Sequence, residues 1–410
     1  MHEKWFWLMY RLARIQRAYT RQPEASVCHN VIRCTSAELE LVSSSNIIFH
    51  VKTHAEDGYF MPIYKHRPMQ TYLQTVANDY YMLLYPDCEA AQTERAAMLE
   101  CFQDPQNVDR FVRMGSSTAP DSPLSQYLAT GDPKVIGLEG FPRNGAAQKR
   151  LHAFITKYYG GARHAYLQNS QVGNGRWQTA STNRTMAVEK LAGILGLGQT
   201  IPHTEYCVLE VGGQQRCFGQ FMACAPGADI TQITPQQRKA LLSPSLQRAL
   251  NRLHLMDTLV YEMDHCPENY HLLIQDGKAK GISVFDNNAA QNFSILWNVS
   301  FETIIKCAPF IDANGYVDRP FVDKELADRV SQVTFGALYR GLKSHLSLLP
   351  IISLFVRCRR VSKAIRKSVA AGTVQALSPD QWSEKTLEAE QQWPHGKTYL
   401  HSFLRDCVHI

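Results

Sequence analysis

Apolar residues recur at helical spacing from the start of the chain, where Trp5, Leu8, Leu12, Ile15 and Tyr19 share one face and Arg11, Arg14, Arg17 and Arg21 populate the other. A basic amphipathic helix of this kind commonly packs on its own domain. It can also lie on an anionic membrane, so weak membrane-surface contact by residues 1–21 stays open. Further on, the pattern predicts a strand over residues 46–54 and helices over 70–84 and 90–102. Polar, turn-rich text at 115–123 and 140–145 suggests a boundary and sets off a mixed α/β region covering residues 1–145.

From residue 150 the pattern becomes more regular. Residues 164–171 and 176–179 flank Val172-Gly173-Asn174-Gly175 and predict two strands joined by a tight Asn-Gly turn. Thr182 or Asn183 caps an expected helix over 184–195, which ends at Gly196-Leu197-Gly198. Strands at 204–211 and 216–222 form a second hairpin around Gly212-Gly213, and a Pro-Gly linker follows over 223–229. The remainder predicts helices over 235–242, 246–261, 324–340, 343–360 and 361–370, with one strand at 281–285.

Composition changes this picture little. The 410 residues suffice for two or three domains, and a hydrophobic fraction of 45% is that of a globular chain. A net charge of +6 with no basic stripe argues against nucleic acid as a partner. Eleven cysteines without a C-x-x-C pair imply reduced, mostly buried thiols. The apolar start is too short for a signal peptide, so the expected compartment is the cytoplasm. No stretch reaches the ~20 apolar residues of a membrane span.

The chemistry-bearing text is Met256-Asp257-Thr258-Leu259-Val260-Tyr261-Glu262-Met263-Asp264-His265-Cys266-Pro267-Glu268-Asn269, followed by Ile282-Ser283-Val284-Phe285-Asp286. Asp264 closes a helix, Asn269 stands five residues later, and Asp286 ends a short apolar strand about twenty residues beyond. Phosphoryl transfer needs a carboxylate to orient the acceptor hydroxyl and oxygen ligands to hold the metal on the triphosphate. Asp264 fits the first task, and Asn269 with Asp286 the second. Each also has a plainer reading: Asp264 and Asn269 as turn caps around Pro267, and Asp257 as a buried hydrogen-bonding strut.

These segments resemble the catalytic and metal-binding segments of atypical kinases typified by the Golgi casein kinase, with wider similarity to phosphoinositide lipid kinases and HipA-type bacterial kinases. The resemblance covers residues 150–370. It implies an α+β, two-lobed protein-kinase-like fold, with a small lobe over 150–225 and a helical large lobe over 226–370. The mixed α/β domain then precedes it, and a C-terminal tail follows over 371–410. It further implies ATP with Mg²⁺ or Mn²⁺, Asp264 as the catalytic residue and Asp286 and Asn269 as metal ligands. The nucleotide pocket would be lined by Gln168, Glu189, Phe221, Met222 and Cys224, and Asp257 is structural. The acceptor is a hydroxyl of a protein, glycan or small molecule. His265-Cys266 replaces the group's Arg-His, and neutral Gln168 stands where a phosphate-binding lysine is expected. A non-catalytic pseudokinase-like scaffold and a kinase-fold adenylyl transferase are the alternatives.

Overall fold

The computed structural model describes residues 30–43, 47–55, 57–64, 68–114, 121–160, 176–198, 200–213, 215–260, 269–285, 321–372 and 374–391. The chain is mixed α+β and divides into two compact units. One, the sheet unit, takes Gln22–Ala180 and Glu205–Cys224. The other, the helical unit, takes Ser181–Thr204 and the chain from Ala225 onward.

The sheet unit is built on six strands: β1 (Val31–Cys34), β2 (Leu39–Ser43), β3 (Ile47–Lys52), β4 (Asp57–Pro62), β5 (Thr204–Val211) and β6 (Gln215–Ala223), in the order β1-β5-β6-β4-β3-β2. β2, β3 and β4 form an antiparallel meander, β4 pairs with β6, and β1 runs parallel to β5. Alternation places Ile47, Phe49, Val51, Phe60, Cys217 and Phe221 in the core, and His50, Tyr59 and Met222 on the opposite, half-buried face. Phe221 packs over Gly58 and Phe60 over Gly219; a Cβ at either glycine would meet the facing ring within 2.5 Å. These glycines give two aromatic rings their space across the strand pair.

The core face is covered by helices α1 (Met69–Leu84), α2 (Glu89–Cys101), α3 (Pro105–Arg113), α4 (Pro123–Thr130) and α5 (Gly145–Ala153), the last continuing as a π-helical segment over Phe154–Tyr159. The packing is strongly aromatic: Tyr80 touches Tyr81, Tyr85, Phe154 and Tyr158, and Phe49 reaches Tyr158. Buried hydroxyls need partners in such a core. Tyr64 and Tyr158 share a 2.9 Å bond, Tyr80 donates to the Arg150 carbonyl at 2.8 Å, and Tyr159 donates to the Phe111 carbonyl at 3.1 Å. Arg150 makes a two-pronged pair with buried Glu94 at 2.6 and 2.8 Å, tying α5 to α2.

Helix α6 (Arg176–Ile194) enters the helical unit, which continues with α7 (Pro235–Ala240), α8 (Pro244–Val260), α9 (Lys324–Gln332), α10 (Phe335–Leu342), α11 (Leu348–Ala370) and α12 (Glu384–Gln391). A small sheet, β7 (Ala228–Asp229), β8 (Tyr270–Gln275) and β9 (Lys278–Val284), lies against α8. Its β8–β9 turn holds Asp276 and Gly277 at φ of 53° and 69°, the geometry an Asp-Gly hairpin turn requires. Strands β10 (Phe321–Asp323) and β11 (Gln375–Leu377) pair in parallel.

Several expectations change. Residues 176–179 begin α6 instead of forming a return strand, and Thr182 and Asn183 lie inside the helix instead of capping it. The helix-favouring run that follows extends N-terminally through them. The division does not follow the boundary expected near 145, because β1–β4 hydrogen-bond into one sheet with β5 and β6. Within the linker expected over 223–229, Ala228–Asp229 forms β7. The helix expected over 324–340 is broken where Thr334 caps α10, whereas 348–370 is one helix because Pro350 sits in its first turn, where proline costs little. The expected tail is folded at least to 391: β11 joins β10, Leu387 is buried, and Gln247 exchanges 2.9 Å hydrogen bonds with Thr386. The predicted strand at 164–171 and residues 1–21 lie outside the described residues.

Candidate functional site

Helix α8 leads toward the chemistry-bearing text. Leu250, Leu253, Met256 and Leu259 face the core of the helical unit, and Asp257 is buried with them at 3% exposure. The described chain resumes at Asn269 and enters β8 directly. Tyr270 pairs with Val284, and the Phe285 N–H donates to the Asn269 carbonyl at 2.9 Å. The β8–β9 hairpin thus brings Asn269 beside the residue that precedes Asp286.

Three further contacts hold this hairpin end. Val284 N–H donates to the Thr200 carbonyl at 2.6 Å, His271 Nδ1 lies 2.8 Å from the Ala225 carbonyl, and the His271 ring meets Phe285 edge-on at 5.2 Å. Asp264, Asp286 and Gln168 lie outside the described residues.

Glu189, on α6, holds the entry to β5. One carboxylate oxygen accepts the Thr204 N–H at 2.9 Å, and the other lies 3.0 Å from His203 Nδ1. Its side chain is 14% exposed. The three candidates on and after β6 have different surroundings. Phe221 is 1% exposed within the sheet-unit core, so its ring is a packing element instead of a pocket wall. Met222, opposite Tyr59, takes the other face.

Cys224 follows β6 and stands opposite Asp57, whose carbonyl accepts the Cys224 N–H at 2.9 Å. His50 sits diagonally across the β3–β4 hairpin on the same face, its ring stacked on Tyr59 at 4.9 Å. Three functional atoms converge there: His50 Nε2 to Asp57 Oδ1 is 2.8 Å, Cys224 Sγ to Asp57 Oδ1 is 3.3 Å, and Cys224 Sγ to His50 Nε2 is 3.6 Å. Hydrogen bonds from His50 and then Cys224 hold the Asp57 carboxyl below its ordinary range. Burial, reinforced by the bond to Asp57, pushes the Cys224 thiol up to about 12. Neither His50 nor Asp57 stood out in the sequence. The signal that could have found them is their spacing, His50 and Asp57 across a short turn, which puts them on one face of a hairpin.

A cleft of about 670 Å³ opens in the helical unit beside Gly196, Arg248, Arg252, Lys280 and Trp382. None of the sequence-predicted site residues lines it, and its two arginines are committed to Asp323 and Glu325. Among the described residues no helix is long and apolar enough to cross a membrane. The described cysteines form no disulfide; Cys88 and Cys224 are half-buried and the others buried. No protein-family model matches the chain, and no curated protein matches it in sequence.

Proposed function

We propose that the chain is a metal- and ATP-dependent phosphotransferase of kinase-like architecture, acting on a hydroxyl of a protein, glycan or small molecule. The observation that carries this reading is the 2.9 Å hydrogen bond from Phe285 N–H to the Asn269 carbonyl. Kinases hold their metal ions with an Asn five residues after the catalytic Asp and with an Asp reached through a short hairpin. Asn269, β8, β9 and Asp286 follow one another here in that order.

The sheet unit gives separate support. A three-strand meander whose third strand pairs with the second strand of a later hairpin, here β2–β3–β4 with β6, is the pairing expected of a kinase small lobe. Helices α1–α6 stand between β4 and β5 where a kinase has one, and the third strand, which carries the phosphate-binding lysine in kinases, corresponds to β4. In sequence, Lys65 follows β4 by three residues, outside the described residues. On this count Lys65 is a second candidate for the lysine's place beside the position of Gln168.

The donor set suits a hard cation, since an Asn carbonyl and an Asp carboxylate offer oxygen ligands of the type Mg²⁺ and Mn²⁺ take. When bound, the metal supplies charge neutralisation on the phosphates. Asp264 would orient the acceptor hydroxyl and take its proton as that oxygen bonds to the γ-phosphorus and the bond from the γ-phosphorus to the β-phosphate oxygen breaks, releasing ADP. Asp257, buried in α8 one helical stretch earlier, would position the loop. Transfer of label from γ-³²P-ATP should require Mg²⁺ or Mn²⁺ and disappear in Asp286→Ala and Asn269→Ala. Activity unchanged in Asp286→Ala removes this mechanism, and a mass increment of AMP on the acceptor identifies adenylyl transfer instead.

The second reading is a non-catalytic, kinase-like binding module. It is favoured by Glu189, whose two carboxylate oxygens already serve Thr204 and His203 and so are not held open for a phosphate-binding lysine. Ligand that binds only the folded state raises Tm by mass action, so absence of a thermal shift at millimolar ATP with Mn²⁺ favours this reading.

A further inference from the structure

We propose that His50, Asp57 and Cys224 form a binding site for zinc or a zinc-like divalent cation on the half-buried face of the sheet unit, with the fourth position open to solvent. The three ligand atoms lie within 4.8 Å of one another and come from β3, β4 and the residue after β6. Around tetrahedral zinc, the usual bond lengths put N···O about 3.3 Å apart and S···N and S···O about 3.5 Å apart. The observed separations are 2.8, 3.6 and 3.3 Å, so one face of the tetrahedron is nearly formed and only the His50–Asp57 edge must open.

The chemistry points the same way. A thiol, an imidazole and a carboxylate are the three donor types zinc uses, and thiolate together with imidazole selects against magnesium and calcium. Without a cation, the cluster presses a thiol against a carboxylate, which disfavours the thiolate. A divalent cation removes that conflict: as the metal–sulfur bond forms, the Cys224 Sγ–H proton leaves to solvent and the neutral imidazole binds through Nε2. Ring stacking on Tyr59 and the backbone bond from Cys224 N–H to the Asp57 carbonyl fix two of the ligands in advance. The Asp57 side chain is 64% exposed, and this leaves room for a water as fourth ligand. Because Cys224 stands 174 positions from His50, the metal would clip the end of β6 to the β3–β4 hairpin and couple binding to folding of the sheet unit.

The site shares no residue with Asp264, Asn269 and Asp286, which carry the phosphotransferase chemistry, and the test keeps the two apart. Full-length protein, stripped with a chelator and dialysed, is titrated with Co²⁺ and then displaced with Zn²⁺. The expected result is a near-ultraviolet thiolate-to-cobalt charge-transfer band with intense tetrahedral visible bands, both abolished by Zn²⁺ and unaffected by millimolar Mg²⁺. Cys224→Ser removes the charge-transfer band. His50→Gln keeps it but weakens Co²⁺ binding by about tenfold or more. Asp286→Ala leaves the spectrum unchanged. No charge-transfer band in the wild-type chain overturns the proposal without any variant, and so does a band that persists in Cys224→Ser or is lost in Asp286→Ala.

Discussion

Replacing Asp323 by Asn takes one negative charge out of a fully buried position with almost no change of shape. Its carboxylate receives Arg248 Nε at 2.5 Å, Arg252 Nε at 3.0 Å and, as the N-cap of α9, the Leu326 N–H at 2.8 Å. The Asp323 N–H in turn donates to Asn251 Oδ1 at 3.0 Å, so α8, β10 and α9 meet at this residue. Removing one partner of a buried pair typically costs about 3–5 kcal/mol, because the remaining charge stays desolvated.

Here the lower end applies. Arg248 and Arg252 are 21% and 22% exposed and both keep Glu325 at 2.7 Å. Asp323→Asn is therefore expected to cost about 3 kcal/mol, and Asp323→Ala about 1 kcal/mol more through loss of the cap. For a unit of this size, each kcal/mol moves Tm by about 2–4 °C, so the losses are about 6–12 °C and 8–16 °C. Calorimetry and urea melts of both variants measure this. Melting within about 2 °C of wild type, or an alanine variant no worse than asparagine, would refute the reasoning.

Gly58→Ala and Gly219→Ala should each lower the urea midpoint by the equivalent of about 1–3 kcal/mol, because the new Cβ meets a facing ring and a backbone carbonyl that cannot both give way. Wild-type midpoints would contradict the packing described. Burial, aided by Lys190, holds the His345 imidazole below its ordinary 6.5. The unfolded chain then binds the proton first as pH falls, so this residue's contribution to stability is present above pH 6.5 and falls away below it. Chemical denaturation of His345→Gln between pH 5 and 8 should show a flatter profile than wild type, and an unchanged slope would contradict this. Glu189→Gln should weaken the α6–β5 junction by about 1 kcal/mol through its bonds to Thr204 and His203. If phosphotransfer is also lost while the fold remains, Glu189 has a role in nucleotide binding as well.

The sequence on its own determined the local elements wherever one periodicity ran unopposed. α1, α2, β5, β6 and α8 stand close to where alternation and helical spacing put them, because a half-buried strand or helix writes its own period into the chain. The Asp-Gly turn at 276–277 was also legible and would have supplied β8. The spacing from Asp264 through Asn269 to Asp286 was visible as text, and Asp257 was rightly placed as buried.

Only the tertiary structure decided the partners. Strand pairing between β1 and β5 and between β4 and β6 joins segments more than 150 residues apart, and pairing at that distance is set by complementary faces and backbone hydrogen bonds that leave no periodic mark. That pairing puts β4 beside β6 in one sheet, whereas the sequence suggested a return strand at 176–179, where α6 begins instead. It also put Cys224, expected at a nucleotide pocket, beside Asp57 and His50, because side chains of adjacent strands on one face converge whatever their distance in sequence.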